Sequence, residues 1–362
     1  RDFLQVLTEL CQRGHTCRVY CVSWQSDWPK NVDVVLAPSV KGTRVRRNKH
    51  FSAWVHAELT REPVSGVIGF NKMPGLDIYF AGDPCFLAHV EENRTALYRL
   101  GSRFRHFAAW ESTVFARGSS TEVLLLTTRE SERFVHYYKT EIERMHLLPP
   151  GVARDRCRTE RAQTQRARVR AELKLSQHAL ILLFIGSGFA TKGLDRAIRG
   201  LASLQRAHPH KDIRLLVAGQ NRIGKMEALA RRQGVRKRVQ FLGGRDDIPD
   251  LLQAADLLVH PARSEAAGMV LLEALVAGLP VVVTDVCGYA RYIESAAAGK
   301  VLTTPYQQTD LVTALEELVD ARVRSACSTR ALEYARDADL FSLHTRAADL
   351  IEKLLAQKNK CE

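Results

Sequence analysis

The sequence predicts an α/β protein made of two doubly wound domains, each built on a mostly parallel sheet. Its length of 362 residues exceeds the size at which a single hydrophobic core usually stops growing. Short segments rich in β-branched residues alternate with amphipathic helical segments, which is the pattern of parallel sheets. Between the two series stands Pro149-Pro150-Gly151, where the prolines fix extended backbone and the glycine permits a sharp turn. We therefore expect an interdomain linker there.

The first half of the chain begins with a helix and continues as strands separated by helices. Phe3, Leu4, Leu7 and Leu10 recur at helical spacing, and Gly14 is placed to end that helix. Strands are predicted at 17–23, 31–37, 64–70, 76–81 and 122–127, with a helix at 51–61. Because the chain opens at Arg1 without a methionine, directly in a helix, we expect that a first strand and a glycine-rich loop are missing from it.

The second half repeats the alternation. Strands are predicted at 180–185, 213–218, 239–242, 257–259 and 280–284, and helices at 194–205, 225–233, 270–277, 309–319, 324–337 and 344–358. This divides the chain into an N-terminal domain at 1–150, a C-terminal domain at 151–335, and a last helix within 336–362 that packs back toward the N-terminal domain. Ligands of open parallel sheets bind outside the carboxyl ends of the strands, so an active-site cleft is expected between the two domains.

Charge and cysteine usage narrow the function classes. The net charge of +13 favours a phosphate-rich partner, which could be nucleic acid, anionic lipid or a phosphorylated glycan. A nucleic-acid-binding motif is not recognisable. No apolar run approaches the ~18 residues that a membrane span needs, so the protein is predicted to be soluble. The eight cysteines lack the Cys-x-x-Cys spacing of zinc sites, and we interpret them as buried thiols of a reducing cytoplasm.

One segment carries most of the chemical information. Glu265 precedes a loop of small residues that opens directly into a predicted helix bearing Glu273, eight positions further on. Free backbone N–H groups and the positive end of such a helix suit a diphosphate. The two carboxylates cannot reach the same atom, so one can hold sugar hydroxyls and the other a ribose diol. Taken alone, each glutamate could equally serve a structural salt bridge or a solvated loop.

This pair, with the segments 70–77, 147–151, 192–196 and 285–290, resembles glycosyltransferase family 4, and within it the lipopolysaccharide core glucosyltransferases of Gram-negative bacteria. The resemblance covers essentially the whole chain. It implies the GT-B fold, two Rossmann-like domains facing across a cleft, and a retaining reaction without metal or cofactor. UDP-glucose would be the co-substrate and a heptose of the lipopolysaccharide inner core the acceptor. It also implies a cytoplasmic protein associated peripherally with the inner membrane.

The resemblance also assigns roles to residues. Lys192 would pair with the donor phosphates, Glu265 would bind the transferred sugar and Glu273 the ribose. A serine, Ser187, stands where many family members carry an arginine, so more of the phosphate charge would rest on Lys192. The remaining donor contacts would come from Gly193, Ala266, Ala267, Gly268 and Met269 around the diphosphate and sugar, and from Arg245 and Ile248 around the base. Arg245 could instead cap a helix or pair with Asp246.

Acceptor and membrane contacts are expected in the first half. Asp83, which follows a predicted strand, and Asp2, in the first helix, could position the acceptor hydroxyl, although a turn-stabilising aspartate and a helix-terminal charge would look the same. Residues Arg94 to Arg117 are predicted as one amphipathic helix with basic and aromatic faces, which suits an anionic membrane surface as well as a core-facing stripe. The basic run 44–50 is predicted as a loop that could meet acceptor phosphates or only solvent.

Other readings of the sequence remain open. Asp337-Ala338-Asp339 matches the letters of a metal-dependent transferase site, but its position among the C-terminal helices favours capping. The same fold could support an epimerase or a phosphorylase, or a transferase that uses UDP-galactose or a UDP-amino sugar. A truncated chain could also bind nucleotide and membrane without transferring a sugar.

Overall fold

The computed structural model describes residues 2–24 and 32–361, apart from the side chains of Asn93 and of residues 359–361. The chain divides into two compact units, Arg1–Gly151 with Ser342–Glu362, and Val152–Phe341. Each unit is an α/β body whose strands pair in parallel throughout its described part. The prediction of parallel α/β sheets is therefore confirmed.

The described part of the first unit contains two parallel sheets. Strands β1 (Cys17–Cys21) and β2 (Val32–Leu36) pair with each other, and β3 (Ile68–Gly69), β4 (Ile78–Ala81), β5 (Glu122–Leu125) and β6 (Met145–Leu147) form a sheet in that order. The helices between them are α1 (Asp2–Gln12), α2 (Arg44–Arg61), α3 (Phe86–Asn93), α4 (Ser102–Phe115) and α5 (Thr128–Tyr138).

The second unit is built on one six-stranded sheet in the order β12-β11-β10-β7-β8-β9. Its strands are β7 (Leu180–Ile185), β8 (Ile213–Ala218), β9 (Val239–Gly243), β10 (Leu257–His260), β11 (Val281–Thr284) and β12 (Gly299–Leu302). Its helices are α6 (Ala162–Glu172), α7 (Leu194–Ala207), α8 (Gly224–Arg232), α9 (Ile248–Ala254), α10 (Met269–Val276), α11 (Ala290–Ser295), α12 (Gln308–Glu317) and α13 (Ala321–Asp337). Strands β8 and β9 extend the sheet on one side of β7, and β10, β11 and β12 extend it on the other side. The direction of the strand order therefore reverses between β7 and β10, which is the topological switch point.

The last helix, α14 (Leu343–Cys361), belongs to the first unit. Strand β4 shows how the core of that unit is divided, because its side chains alternate between the two faces of the sheet. Ile78 and Phe80 pack in a cluster that includes residues of α1 and α14, whereas Tyr79 packs in a second cluster with residues of α4 and α5. Both faces of the strand are therefore buried, which explains its continuously apolar sequence.

Two basic segments differ from their prediction. The run 44–50, predicted as a loop, forms the first turns of α2, because Thr43 caps the helix by accepting a hydrogen bond from the Arg46 N–H at 3.3 Å. The segment 94–117, predicted as one helix, is interrupted at Gly101, whose backbone is extended (φ −74°, ψ 150°) between a 3₁₀ turn at Ala96–Leu100 and α4.

The interruption at Gly101 changes which side chains of that segment face solvent. Leu97 and Leu100 are 77% and 75% exposed, whereas His106 and Glu111, further along the same segment, are buried at 6% and 0% exposure. The hydrophobic periodicity predicted the wrong faces for this segment because the helical phase restarts at Ser102.

The predicted strand 64–70 is also much shorter, at Ile68–Gly69. The Val67 N–H donates to the Asp77 carboxylate at 2.8 Å, so a side chain takes the place of a ladder partner there.

Candidate active site

The switch point of the second unit brings two loops to the same edge of the sheet. The loop 186–193 follows β7 and the loop 261–268 follows β10, and each leads into a helix, α7 or α10. Both helices begin after a glycine in the left-handed region, Gly193 (φ 77°) and Gly268 (φ 87°). The first N–H groups of a helix have no intrahelical acceptor, so two helix starts with positive dipole ends lie at this edge.

A set of polar contacts fixes the two loops against each other. The Arg263 guanidinium donates to the Ala190 carbonyl at 2.7 Å and to both carboxylate oxygens of Asp195 at 2.7 and 2.8 Å. The Arg263 N–H donates to the Thr191 carbonyl at 2.8 Å, and Arg196 donates to the Pro261 carbonyl at 3.1 Å. These bonds set the positions of the side chains on both loops before any ligand binds.

These contacts bring together Lys192, on the loop after β7, with His260 and Glu265, at the end of β10 and on the loop after it. The Lys192 ammonium contacts the Glu265 carboxylate, and the Nε2 atom of His260 lies 3.4 Å from Oε2 of the same carboxylate. The side chains of Lys192 and Glu265 are 22% and 15% exposed, so both are accessible at the loop surface while His260 lies beneath them at 1%. Burial lowers the pKa of Lys192. The site thus holds one cation, one carboxylate and one imidazole within contact distance.

His260 is a functional candidate to which the sequence argument gave no role. Neither of its ring nitrogens has a hydrogen-bond partner among the described residues, and its ring stacks on Phe184 with centroids 6.1 Å apart. Burial, together with the charge of Lys192, lowers the pKa of His260 to about 3. The imidazole is therefore neutral at physiological pH and keeps one N–H available for donation.

We expect the titration of His260 to make the second unit less stable in acid. Below the ordinary pKa of 6.5 the unfolded chain binds a proton that the folded chain does not bind until about pH 3, so stability falls as pH drops through that window. His260→Gln removes this titration, and its unfolding midpoint should decline less than that of the unaltered protein between pH 7 and pH 4. Chemical denaturation at each pH measures this, with His210→Gln, at an exposed histidine, as the control. Parallel curves for His260→Gln and the unaltered protein would contradict the expectation.

Glu273 lies on the second turn of α10 and is 8% exposed. Its Oε1 atom is 3.6 Å from Nε of Arg156, which belongs to the 3₁₀ turn Arg154–Arg156. Two guanidinium nitrogens of Arg156 are buried without a hydrogen-bond partner among the described residues. Arg156 thus places a guanidinium beside Glu273, and nothing in the sequence pattern had singled it out.

The two residues predicted to contact a base lie after β9. Arg245 pairs with Asp247, donating from Nε to Oδ1 at 2.7 Å, so the considered pairing with Asp246 is replaced by one a residue further on. The guanidinium lowers the pKa of the Asp247 carboxyl. Ile248 begins α9 and packs against the core of the unit. The loop after β9 is therefore restrained by its own ion pair.

The remaining candidates, Asp83 and Asp2, belong to the first unit. Asp83 follows β4, is exposed, and lines an open cavity of about 1920 Å³ formed by described residues of that unit, among them Lys72, Arg103 and Trp110. Asp2 begins α1, and its Oδ1 atom lies 3.2 Å from Nε2 of His344 on α14. Asp83 therefore faces a space that a sizeable ligand could enter, whereas Asp2 is engaged with a neighbouring helix.

Comparison with known proteins identifies the family. Residues 165–336 match the model of the family described as glycosyl transferases group 1. The lipopolysaccharide glucosyltransferase WaaG of Escherichia coli (strain K12) is 44% identical over 352 residues, which cover 97% of this chain and 94% of that protein. The chain belongs to this family of glycosyl transferases. The resemblance to the lipopolysaccharide core glucosyltransferases is thereby confirmed.

Solved structures agree with this assignment. The crystal structure of WaaG matches with a TM-score of 0.91 at 44% identity, over 97% of this chain and 95% of that one. Anabaena HepE, crystallised with UDP and glucose, matches with a TM-score of 0.74 over 97% and 96% of the two chains, and its 16% identity supports the fold alone. The GT-B fold is thus confirmed, and this glycosyl transferase is an enzyme of the hexosyltransferase class.

The segment Asp337-Ala338-Asp339 matches the letters of the metal-binding site of metal-dependent transferases. Asp337 ends α13, and the Asp339 carboxylate accepts a hydrogen bond from the Phe341 N–H at 3.4 Å, which is a local capping contact. Over residues 2–24 and 32–361, no cluster of three or more histidine, cysteine, aspartate or glutamate side chains has metal-binding geometry.

Proposed function

We propose that this protein transfers glucose from UDP-glucose to a heptose of the lipopolysaccharide inner core, with retention of anomeric configuration. The observation that carries the proposal is the meeting of Lys192 and Glu265 at the switch point, beside two helix starts. A cation and free amides suit a diphosphate, and a carboxylate suits a sugar that develops positive charge during transfer. The 44% identity to a lipopolysaccharide glucosyltransferase supports the substrates.

In this proposal the diphosphate binds at the loop 186–193 and the start of α10. Backbone N–H groups of Ala266, Ala267, Gly268 and Met269 face it, Gly193 lies against it without a side chain, and the ammonium of Lys192 turns from Glu265 to the phosphates. The negative charge that develops on the leaving phosphate is then stabilised by groups already in place. Because Ser187 carries no charge, Lys192 and the amides supply most of this stabilisation.

The two glutamates have separate tasks. Glu265, released from Lys192, accepts hydrogen bonds from hydroxyls of the transferred glucose. Glu273 accepts from the ribose diol, and the base lies against the loop that contains Arg245 and Ile248. The burial of Glu273 at 8% supports a fixed orientation of its carboxylate.

Retention follows from attack on the same side as the departing phosphate. The acceptor hydroxyl approaches from that side, and its proton passes to the leaving phosphate oxygen, so the reaction requires neither a dedicated base nor a metal. Asp83 orients the acceptor hydroxyl, and Asp2 is the second candidate for this role. The cavity beside Asp83 has the volume for a heptose-containing acceptor.

Lys192→Met should weaken donor binding. Loss of a charge-assisted contact costs about 1.5–3 kcal/mol, which corresponds to about a tenfold to hundredfold rise in the Kd for UDP-glucose. Calorimetric titration measures the Kd, and Lys211→Met, which removes an exposed lysine from the same unit, is the matched control. If both variants bind UDP-glucose as the unaltered protein does, Lys192 is not a phosphate ligand.

The acceptor is anchored in a membrane, and the segment 94–117 is the proposed contact. Leu97 and Leu100 are 77% and 75% exposed, and the arginines 94, 99, 103 and 105 around them are also exposed. Exposed leucines beside arginines suit the headgroup region of an anionic leaflet. None of the helices described is long and apolar enough to cross a bilayer. We therefore propose peripheral association with the cytoplasmic face of the inner membrane.

The decisive experiment measures transfer of labelled glucose to core-truncated lipopolysaccharide by the purified protein, across a panel of UDP-sugars. Transfer from UDP-glucose to a core that ends in heptose supports the proposal. Transfer from UDP-galactose or a UDP-amino sugar alone would show that UDP-glucose is not the donor. Binding of UDP without transfer would favour an inactive nucleotide-binding protein. The double variant Leu97→Ser/Leu100→Ser tests the membrane contact separately. If the contact exists, this variant should lose transfer to acceptor presented in vesicles.

A further inference from the structure

The turn that carries Asp83 is held from beneath by buried charged groups that take no part in the proposed chemistry. The turn lies between β4 and α3, and Asp83 itself is exposed. Two residues further on, the Cys85 N–H donates to the Glu130 carboxylate of α5 at 2.6 Å. The backbone N–H groups of the next two residues donate to a second carboxylate, that of Glu111 on α4.

Glu111 is fully buried, and five different groups donate to its carboxylate. The N–H groups of Phe86 and Leu87 donate at 2.8 and 3.2 Å, the Tyr138 hydroxyl at 2.6 Å, the Lys72 ammonium at 2.5 Å and the Cys85 thiol at 3.9 Å. The first-turn amides of α3 are thereby capped by a side chain distant in sequence. Glu111 therefore fixes where α3 begins, and with it where the turn ends.

Lys72 connects the same carboxylate to the turn itself. Its ammonium donates to the Pro84 carbonyl at 2.8 Å in addition to Glu111, and it lies 5.7 Å from the ring centroids of both Phe115 and Phe134. The side chain is 13% exposed. One ammonium thus bridges the residue after Asp83 and a carboxylate that accepts from four other donors.

Stability alone gives little reason for such a pair. Taking two charges out of water is costly, and replacing a buried ion pair by apolar groups of similar volume is often neutral or stabilising. What the pair supplies is a fixed geometry, since the backbone at Pro84, Cys85 and Phe86 is bonded at three consecutive positions. A residue next to this backbone has little freedom to move.

We propose that Lys72 and Glu111 are positioning residues for the acceptor, holding the Asp83 turn in the geometry that the acceptor hydroxyl requires. The inference rests on the proposed function, which gives Asp83 its role. Displacement of a positioning group by about 1 Å can lower a rate about a hundredfold. The pair therefore acts on the acceptor and not on the donor, whose proposed ligands belong to the second unit.

The test is the double variant Lys72→Met/Glu111→Gln, in which both side chains keep their approximate shape and neither is charged. We expect the Km for lipopolysaccharide acceptor to rise about tenfold or more, with the Kd for UDP-glucose and its hydrolysis without acceptor unchanged. Because no uncompensated charge stays buried, the double variant should unfold closer to the unaltered protein than Lys72→Met does. Thermal unfolding followed by circular dichroism measures this second expectation.

Arg144→Met is the matched control for an unspecific loss of stability in the same unit. Its guanidinium donates to the carbonyls of Val114 and Thr121 at 3.2 and 2.5 Å. Thr121 directly precedes β5, whereas Asp83 follows β4, so the two lie at opposite ends of the parallel strands. This variant should lower stability and leave the acceptor Km unchanged. An unchanged acceptor Km in the double variant, with normal transfer by the unaltered protein, would overturn the inference alone. Absence of transfer by the unaltered protein would overturn the proposed function and, with it, this inference.

Discussion

Glu265→Ala should abolish sugar transfer, lowering kcat by at least about a hundredfold, because the proposed site then has no carboxylate beside the sugar. In the structure this carboxylate contacts Lys192 and lies 3.4 Å from the neutral His260. UDP binding should persist, since Lys192 and the helix starts are retained. Radiolabel transfer gives kcat, and calorimetric titration with UDP gives the Kd.

The isosteric variant separates charge from shape at Glu265. Glu265→Gln keeps the hydrogen-bonding oxygen but not the negative charge, so an intermediate kcat is expected if charge stabilises the transition state. Glu294→Gln, at an exposed carboxylate on α11, should behave as the unaltered protein. Near-normal turnover by Glu265→Ala would remove this residue from the mechanism and would discredit the assigned site.

Gly193→Ala should unfold the junction between the two loops of the site. A Cβ atom at this position would lie 2.0 Å from the Pro261 carbonyl oxygen, and the φ of 77° is itself unfavourable for alanine. The left-handed backbone costs about 1–2 kcal/mol and the forced displacement about 1–3 kcal/mol more. Because Lys192 is the preceding residue, donor affinity should fall together with stability.

Gly234→Ala provides the comparison for this substitution. Its φ is 74°, but no heavy atom lies within 4 Å of the Cβ position, so this variant has the backbone cost without the collision. Denaturant unfolding should show a larger loss for Gly193→Ala, and only that variant should lose UDP affinity. Equal stabilities for the two variants would mean that the contact with Pro261 is not maintained in solution.

Local sequence patterns were sufficient to predict those elements and residue pairs that lie within one segment of the chain. The strands β7, β8 and β10 lie close to their predicted positions because each is a short apolar run buried on both faces. The spacing of Glu265 and Glu273 was visible because both residues belong to one loop and the helix that follows it. The segment 94–117 was wrong as one helix because a single extended glycine resets the helical phase.

Groups that meet across long distances in the chain could not be found in this way. Arg156 has no motif around it, and its proximity to Glu273 depends on where α10 packs. Lys72 and Glu111 are 39 positions apart, and the pattern of the segment 94–117 left a membrane-facing and a core-facing stripe equally open. His260 stood within the predicted motif, but its burial beneath Glu265 was not visible from the pattern.

The sequence by itself determined the class of fold and the type of chemistry, because hydrophobic periodicity and the order of small, acidic and basic residues are local properties of the chain. It also determined which loop contains the candidate carboxylate. Only the tertiary structure decided that β7 and β10 are neighbours, and therefore that Lys192 and Glu265, 73 positions apart, touch. The reason is that strand order and burial depend on the packing of the whole core, which no single segment encodes.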